Sequence, residues 1–570
     1  MTDILVLILR RLRTPIITLI SVYAIAIFGL VLMPGTDPQG NPWRMSVFDA
    51  FYVMSYTATT IGFGEVPYPF SYAQRLWMTV SIYLTVIGWA YTLGSVFALA
   101  RHPAFRIALG RHRFEARVRR MTDPFFVVCG YGQSGRRLVA ALDEIGFGTV
   151  VLESDPDRAR AHLVLDTLQA SALLIADARA PDVLEAAGVR MSNCAGLVAL
   201  TNGDEVNQSI AIGARVLARE LPVLARVKSP GARETLEGIG GVVAVNPFET
   251  FAANLGMALS QPDGLRLEDW LSGVPGARPP PRIEAPRGHW VIAGYGRFGH
   301  CAAAVLAEAG LSYKAIDIDP AHCGEEGILG SALAEEALRK AGIEEAVGLI
   351  AGTDSDANNL AIVNNARRLR HKLFVVIRQN QVGNRALIEA AHADMEFVQA
   401  VVMTNECVQM LTTPLLNRFL MLARKQNGVW AVGVAGRIRD LVGDEVPHTW
   451  AIDCDVALLG ARRAFVERPE PPLALAHLLM DPDDRRLPLK AVPLLLLSGG
   501  RDVLLPDENT PLRPGDRILF AGAAGVEGLQ PRTLNDDGAV DYLRTGREPP
   551  RTWLGHWLGS RGGAGASATP

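Results

Sequence analysis

An excess of charge of one sign is the first thing this 570-residue chain lacks: 56 Lys and Arg stand against 59 Asp and Glu, a net charge of −3. A near-neutral chain has no global field to draw in nucleic acid, so no nucleic-acid partner is expected. Cysteine is scarce. The six, Cys129, Cys194, Cys301, Cys323, Cys407 and Cys454, form no CxxC and no framework spacing, which excludes a disulfide scaffold and fits buried thiols in a reducing compartment. The neighbours His300-Cys301 and His322-Cys323 invite a metal reading, but adjacent residues seldom ligate one ion together. No constellation of acid, base and nucleophile stands out, so an enzyme is not expected.

Apolar sequence, by contrast, is plentiful. A hydrophobic share of 49% and a mean hydropathy of +0.17 are high for a soluble protein and low for one lying wholly in a membrane, and the length asks for several domains. Ile16 to Met33 gives 18 uncharged, mostly apolar residues, just enough at about 1.5 Å per residue to cross the hydrocarbon core. No small-residue cleavage site comes after it, which favours an anchor over a signal peptide. Leu76 to Ala100 adds 25 residues without a charge, a second crossing with room to tilt. Arg10, Arg11 and Arg13 precede the first span, and Arg101, Arg106, Arg111, Arg113, Arg117, Arg119 and Arg120 come after the second. The positive flanks place both termini in the cytoplasm, for a multi-pass protein of the cell inner membrane with residues 34–75 facing out. Within that outer loop Ser46 to Ala58 is apolar, aromatic and too short to span, the mark of a re-entrant helix whose carboxyl end favours a cation.

Directly after it comes Thr59-Thr60-Ile61-Gly62-Phe63-Gly64-Glu65. Gly62 and Gly64 can take positive φ, which lets carbonyls turn where a Cβ would clash. The heptad resembles the potassium-channel selectivity filter, Thr-Thr-x-Gly-Tyr/Phe-Gly-Asp/Glu, and span, re-entrant helix, filter and span together resemble the two-transmembrane potassium channels over about 90 residues. The resemblance implies a selectivity filter of Thr60, Ile61, Gly62, Phe63 and Gly64 with potassium ions held at Thr60, Ile61, Gly62 and Phe63, the Thr60 hydroxyl at the inner end, Ile61 and Phe63 packed outward, and four copies closing one axis. It also implies a gating hinge at Gly88, although close helix packing is an equal reading for glycines such as Gly94. Phe63 for the commoner Tyr and Glu65 for Asp bear on filter stability. No Arg-rich third or fourth span exists, so a voltage sensor is not expected, and residues 104–122 read as a linker beside anionic lipid.

Phe125-Phe126-Val127-Val128-Cys129-Gly130-Tyr131-Gly132-Gln133-Ser134-Gly135 is a buried-strand run ending in GxGxxG, and His289-Trp290-Val291-Ile292-Ala293-Gly294-Tyr295-Gly296-Arg297-Phe298-Gly299 repeats it 164 residues later. In each copy an acid stands 23 residues past the first glycine, Glu153 and Asp317. One such motif is weak, but two with matching acids read as tandem dinucleotide-binding units. The glycines make the turn, admit a pyrophosphate and let helix pack on strand, while the acid takes ribose hydroxyls. Ala187-Gly188-Val189 recurs as Ala341-Gly342-Ile343 at an offset of only 154, and Asp177 aligns with Ser331. The second copy has therefore lost ten residues near its second helix, and its pocket is expected to be the trimmed one.

The pair resembles the RCK (regulator of potassium conductance) or TrkA-N family through Ala176-Asp177-Ala178, Val183-Leu184-Glu185-Ala186-Ala187-Gly188, and Thr201-Asn202-Gly203-Asp204-Glu205-Val206-Asn207, echoed by Thr353-Asp354-Ser355-Asp356-Ala357-Asn358. The resemblance, over roughly 123–425, implies Rossmann folds binding NAD(H), ADP or another adenine nucleotide at Gly130, Tyr131, Gly132, Gln133, Ser134, Gly135, Glu153, Asp177 and Arg179, the arginine meeting phosphate. In the second copy it implies Gly294, Gly296, Arg297, Phe298, Gly299 and Asp317. Asp155, Asp157, Asp204 and Glu205 are the carboxylates a calcium ion would use, as in some relatives, against the ordinary reading of solvated acids. The expected layout is an all-α pore (1–103), a linker (104–122), a first α/β RCK unit (123–274), a Pro-rich linker (275–288), a second unit (289–427), an α+β TrkA-C-like lobe (428–526) and a partly disordered tail (527–570). These parts imply a ligand-gated channel, a homotetramer in the bilayer with eight RCK units in a gating ring. The alternatives are a regulatory subunit of a potassium uptake system, which residues 1–100 disfavour, and a membrane-anchored dehydrogenase, for which no substrate domain is seen.

Overall fold

The computed structural model describes residues 2–159, 172–279, 281–323 and 327–546. The Gly/Ala/Ser-rich end of the tail, Pro280 and most of the segment around the expected deletion lie outside them. The chain divides into two compact units, one built mainly on residues 1–121 and the other mainly on residues from 122 onward.

In the first unit the apolar runs become long helices. α1 (Thr2–Leu32) is followed by the antiparallel strands β1 (Pro34–Thr36) and β2 (Pro42–Arg44), then α2 (Val47–Ala58) and α3 (Tyr72–Arg101). Leu12–Leu32 and Tyr72–Arg101 are long and apolar enough to cross a membrane, with mean hydropathies of 2.4 and 1.6. Ser46 caps α2, its hydroxyl accepting from the Asp49 N–H, and Ser71 with Gln74 forms a capping box at the start of α3, so orphan donors at each helix start are satisfied. α3 stops where His102 is forced into extended backbone by Pro103. The expected linker is itself a helix, α4 (Pro103–Val118). Ala26, Leu30, Met45, Ala50, Val53 and Met54 form the core around α2. The glycine that tight packing needs here is Gly29, where a Cβ would run into the Trp77 ring; Trp77 donates its indole N–H to the Ala26 carbonyl at 2.9 Å. At Gly88 a Cβ would meet only Leu19 and Val22 at 3.7 Å.

The second unit opens with two sheets of the same design. The first uses β3 (Phe125–Cys129), β4 (Gly148–Glu153), β5 (Ala172–Ile175), β6 (Cys194–Ala199), β7 (Val223–Arg226) and β8 (Val242–Val245) in the order β5-β4-β3-β6-β7-β8. The second uses β9 (Trp290–Ala293), β10 (Tyr313–Asp317), β11 (Ile328–Leu329), β12 (Gly348–Ala351), β13 (Phe374–Gln379) and β14 (Met395–Val398) in the order β11-β10-β9-β12-β13-β14. The central pairs are parallel, and β3 and β9 are buried throughout, as strands covered on both faces must be. This is the doubly wound order whose switch point, between β3 and β6 or β9 and β12, leaves a crevice at the carboxyl ends of the strands.

Helices α5 (Gln133–Glu144) and α6 (Asp204–Leu217) belong to the first sheet, which is followed by α7 (Pro247–Ser260) and α8 (Pro262–Leu271). The second has α9 (Arg297–Glu308) and α10 (Asp356–Leu369), followed by α11 (Gln399–Thr412) and α12 (Pro414–Ala423). The copies exchange helices: α7 packs on α9, and α11 on α5. Phe248, Phe251 and Leu255 of the first copy share one core with Trp290, Ile292 and Phe298 of the second. At about 1.5–3 kcal/mol for each such side chain, the two copies behave as one body. Glu268 and Arg424 close the far end, with Nε–O 2.9 Å and Nη2–O 2.5 Å.

Beyond α13 (Gly428–Val442) an antiparallel sheet is formed by β15 (His448–Asp453), β16 (Ala491–Ser498), β17 (Arg501–Leu504) and β18 (Arg517–Gly522), in the order β15-β18-β16-β17. This lobe runs past the boundary expected at 526. Leu529–Asn535 and Asp537–Thr545 are helical, and Leu534, Val540 and Leu543 are buried, the first two in the core with Phe520 and Leu475.

Candidate functional site

At the end of α2 the chain enters left-handed backbone at every second residue: Thr60, Gly62 and Gly64 have φ of +61°, +66° and +96°. The glycines adopt this freely; Thr60 does so at a cost of about 1 kcal/mol. The Tyr56 hydroxyl donates to the Gly64 carbonyl at 2.5 Å, the Tyr56 carbonyl accepts from Ile61 N–H at 2.9 Å, and the Phe63 ring stands edge-on to Tyr56 at 5.5 Å. Glu65 accepts from Phe70 N–H at 2.8 Å and from Arg75 at 2.8 and 3.0 Å. Tyr56 and Arg75 thus supply the bracing that Phe63 lacks a hydroxyl to give. Sequence reading missed both, because Tyr56 looked like one more apolar helix residue and Arg75 like a flank. Ile61 and Phe63 remain 61% and 64% exposed in a single chain.

The first crevice is a 230 Å³ cavity lined by Gly130, Gly132, Glu153, Arg158, Asp177, Thr201 and Asn202, among others. Gly130 turns at φ +101°, and a Cβ on Gly135 would collide with the Gly130 carbonyl, so that glycine serves helix-to-strand packing. Tyr131 and Ser134 are buried away from the cavity, and Gln133 accepts from the Val382 N–H of the second copy at 3.4 Å. Glu153 is 4% exposed. It accepts from the Tyr131 N–H at 2.6 Å and the Asp155 N–H at 2.9 Å. Arg179 does not line the cavity; its guanidinium holds Asp177, with Nε–O at 3.1 and 3.0 Å and Nη2–O at 2.6 Å, which keeps that carboxyl below the usual carboxylate range.

The second crevice is larger, 570 Å³, lined by Gly294, Gly296, Arg297, Asp317, Ser331 and Arg378 among others. The pocket expected to be trimmed is the roomier one, and Ser331 lines it where Asp177 lines the first. Asp317 repeats the acid's bonds, from the Tyr295 N–H at 2.6 Å and the Asp319 N–H at 2.9 Å. Phe298 turns away from the cavity and stacks on Phe397 at 4.8 Å, and Gly299 packs against the Gly294 carbonyl. A volume of 570 Å³ suits a nucleotide, whereas 230 Å³ falls below the usual range of about 300–1,000 Å³.

The calcium candidates do not gather. Asp204 accepts from the Lys228 and Ser229 N–H groups, and Asp155 from that of Asp157. Among the described residues no group of three or more His, Cys, Asp or Glu could hold a metal ion. His300, of the His-Cys pairs, stacks on Tyr295 instead, at 4.0 Å.

The TrkA-N domain family matches residues 126–247 and again 290–398. The chain carries two TrkA-N domains. Among curated relatives, potassium channel protein 1 of Methanocaldococcus jannaschii is 28% identical over 147 residues, 24% of this chain and 44% of that protein. Probable potassium channel protein 2 of the same organism is 33% identical over 109 residues, 18% of this chain and 32% of that protein. The chain spans less than half the length of these relatives. Among solved structures, the GsuK channel aligns with a TM-score of 0.47 at 19% identity, covering 93% of this chain and 99% of that one. The GsuK channel bound to NAD aligns at 0.45 and 17%, with the same coverage. The likeness to potassium channels read from the motifs is the one these curated relatives carry, and the TrkA-N units are those of the domain match.

Proposed function

We propose that this chain is a subunit of a potassium-selective channel whose pore is gated by an adenine nucleotide bound to its TrkA-N domains. The observation that carries the reading is the Thr60–Gly64 loop, left-handed at alternate residues and braced by Tyr56, at the end of a short helix between two membrane-length helices. Backbone carbonyls in such a loop replace the hydration shell of potassium once four chains surround one axis. The exposure of Ile61 and Phe63 in a single chain fits side chains awaiting neighbours. A homotetramer in the cell inner membrane, both termini cytoplasmic, then carries eight TrkA-N domains in one ring. Nucleotide moves the pore only through its differential affinity for two states of that ring, about 1–3 kcal/mol per site, transmitted through residues 101–121 to a bend in α3 near Gly88.

Purified protein in planar bilayers under a potassium gradient tests the class. The expected reversal potential tracks potassium, and equal sodium and potassium currents end the reading. NAD and ADP, the ligands bound in GsuK structures, are the first nucleotides to apply. Gly88→Ala tests the hinge without confounding it, since the added methyl meets neighbours only at 3.7 Å: open probability should fall several-fold with melting temperature unchanged, and unaltered gating removes the hinge.

A further inference from the structure

The second membrane-length helix does not run straight on into the domains that follow it. His102 takes extended backbone ahead of Pro103, and the new helix, α4, packs on α1 as well as on α3. The Thr92 hydroxyl of α3 lies 3.4 Å from the Pro15 carbonyl of α1, so the start of the first crossing and the end of the second stand together, and α4 begins at that edge of the bilayer. Residues 101–120 hold seven arginines and a single acid, Glu115. The fold sorts these charges by side. Arg111 and Arg119 meet the Glu115 carboxylate at 3.2 and 3.7 Å, whereas Arg106 and Arg113 are exposed and, among the described residues, have no carboxylate beside them. They stand about one turn to either side of exposed Gly110, where an added Cβ would meet nothing within 4 Å. Positions i, i+4 and i+7 share one helix face, so two guanidiniums flank a bare patch of backbone over about 10 Å. Ile107, next to this line, is 71% exposed.

We infer that the Arg106–Gly110–Arg113 face of α4 binds the headgroup of an anionic phospholipid, with Ile107 entering the acyl layer beside it. Two cations with an isoleucine between them in sequence, at the end of a membrane crossing, suit a phosphate that carries its own apolar chains; a second copy of the same face would set arginine against arginine. Glycine at the centre lets the headgroup approach the helix backbone. Because α4 joins α3 to the first TrkA-N domain, a lipid that holds α4 at the membrane fixes one end of the path between domains and pore, and lipid composition becomes an input separate from nucleotide. The binding needs only that α1 and α3 cross a membrane, and stands apart from the potassium and nucleotide readings.

The test is fluorescence anisotropy of tail-labelled phosphatidylglycerol titrated with the full chain in non-ionic detergent, with tail-labelled phosphatidylcholine as the neutral comparison. Phosphatidylglycerol is expected to bind saturably and at least fivefold tighter. Replacing both arginines, Arg106→Gln with Arg113→Gln, should weaken it about tenfold, the loss of two cations facing an anionic headgroup. Gly110→Glu keeps both arginines, enters open space and puts an acid between them; it should weaken binding as much. Arg119→Gln removes one charge from the Glu115 side and should leave binding within twofold. Melting temperature confirms that each variant is folded. Equal affinity for the two lipids overturns the inference, as does a loss on Arg119→Gln as large as that on Gly110→Glu, which would make net charge rather than this face the cause. Competition by glycerol 3-phosphate at the concentration of the lipid also overturns it, since the site would then take a free phosphate.

Discussion

The two TrkA-N domains share a strand order and an acid that receives the N–H of the aromatic residue inside the glycine loop, at 2.6 Å in both. Yet one crevice measures 230 Å³ and the other 570 Å³. The difference lies in side chains at the rim. Asp177 with Arg179 faces Ser331, Gln133 faces Arg297 and Ala400 faces Phe248; away from the crevices, Glu268 and Asp269 on α8 face Leu420 and Met421 on α12. A backbone cradle is set by strands and glycines and survives repetition, whereas the charge and volume around it are free to diverge. One domain can then serve chiefly as the wall of the other's site.

The largest effect should come from that wall. Phe248 is 3% exposed and packed among Phe298, Phe397 and Phe251, so Phe248→Ala should cost about 3–5 kcal/mol. Ala400, its buried counterpart, offers only a methyl group, and Ala400→Gly should cost about 1 kcal/mol. Denaturant melts of the two variants compare the domains directly, and equal losses would mean that the exchange of helices is symmetric in energy.

Much of this frame was legible in the sequence. The two membrane-length helices, the short helix before the Thr60–Gly64 loop, both strand-glycine-helix starts and the acids at 153 and 317 declare themselves through local pattern, because apolar run length and glycine spacing act on near neighbours. The unread parts depend on long-range contact. Nothing in the string says that Phe298 leaves the cavity for an aromatic core, that Arg179 is spent on Asp177, that Tyr56 reaches Gly64, or that residues 529–545 fold back into the last lobe. The size of the second crevice was misread for the same reason: the number of residues near a helix does not set the volume that the lining side chains leave open.

A middling effect concerns that filling. An exposed ion pair such as Asp177–Arg179 is worth under about 1 kcal/mol, so Asp177→Ser, which copies Ser331, should leave melting within about 2 °C. It should also free Arg179 and widen the first crevice. ADP stoichiometry is then expected to rise from one to two per chain, the second site about tenfold weaker. A stoichiometry that stays at one shows that the ion pair is not what narrows the first crevice.

The smallest effect separates the paired helices α8 and α12. Asp269, half-buried on α8, has its carboxyl pushed up to about 7 by burial and by Glu268 beside it, while Met421 at the matching place on α12 is exposed and carries no charge. The folded chain therefore holds a proton on Asp269 that the unfolded chain, with an ordinary value of about 3.9, gives up. That contribution to stability is whole below about pH 4, declines as pH rises and is gone above about 7. Asp269→Asn stays neutral throughout. It should melt with the unaltered protein at pH 4 and a degree or two above it at pH 8, a gain of about 1 kcal/mol once partial exposure is allowed for. Met421→Asn should leave the pH profile unchanged. If Asp269→Asn gains nothing at pH 8, the carboxyl is ionised and solvated there, and the asymmetry between the two helices is one of sequence without an energetic counterpart.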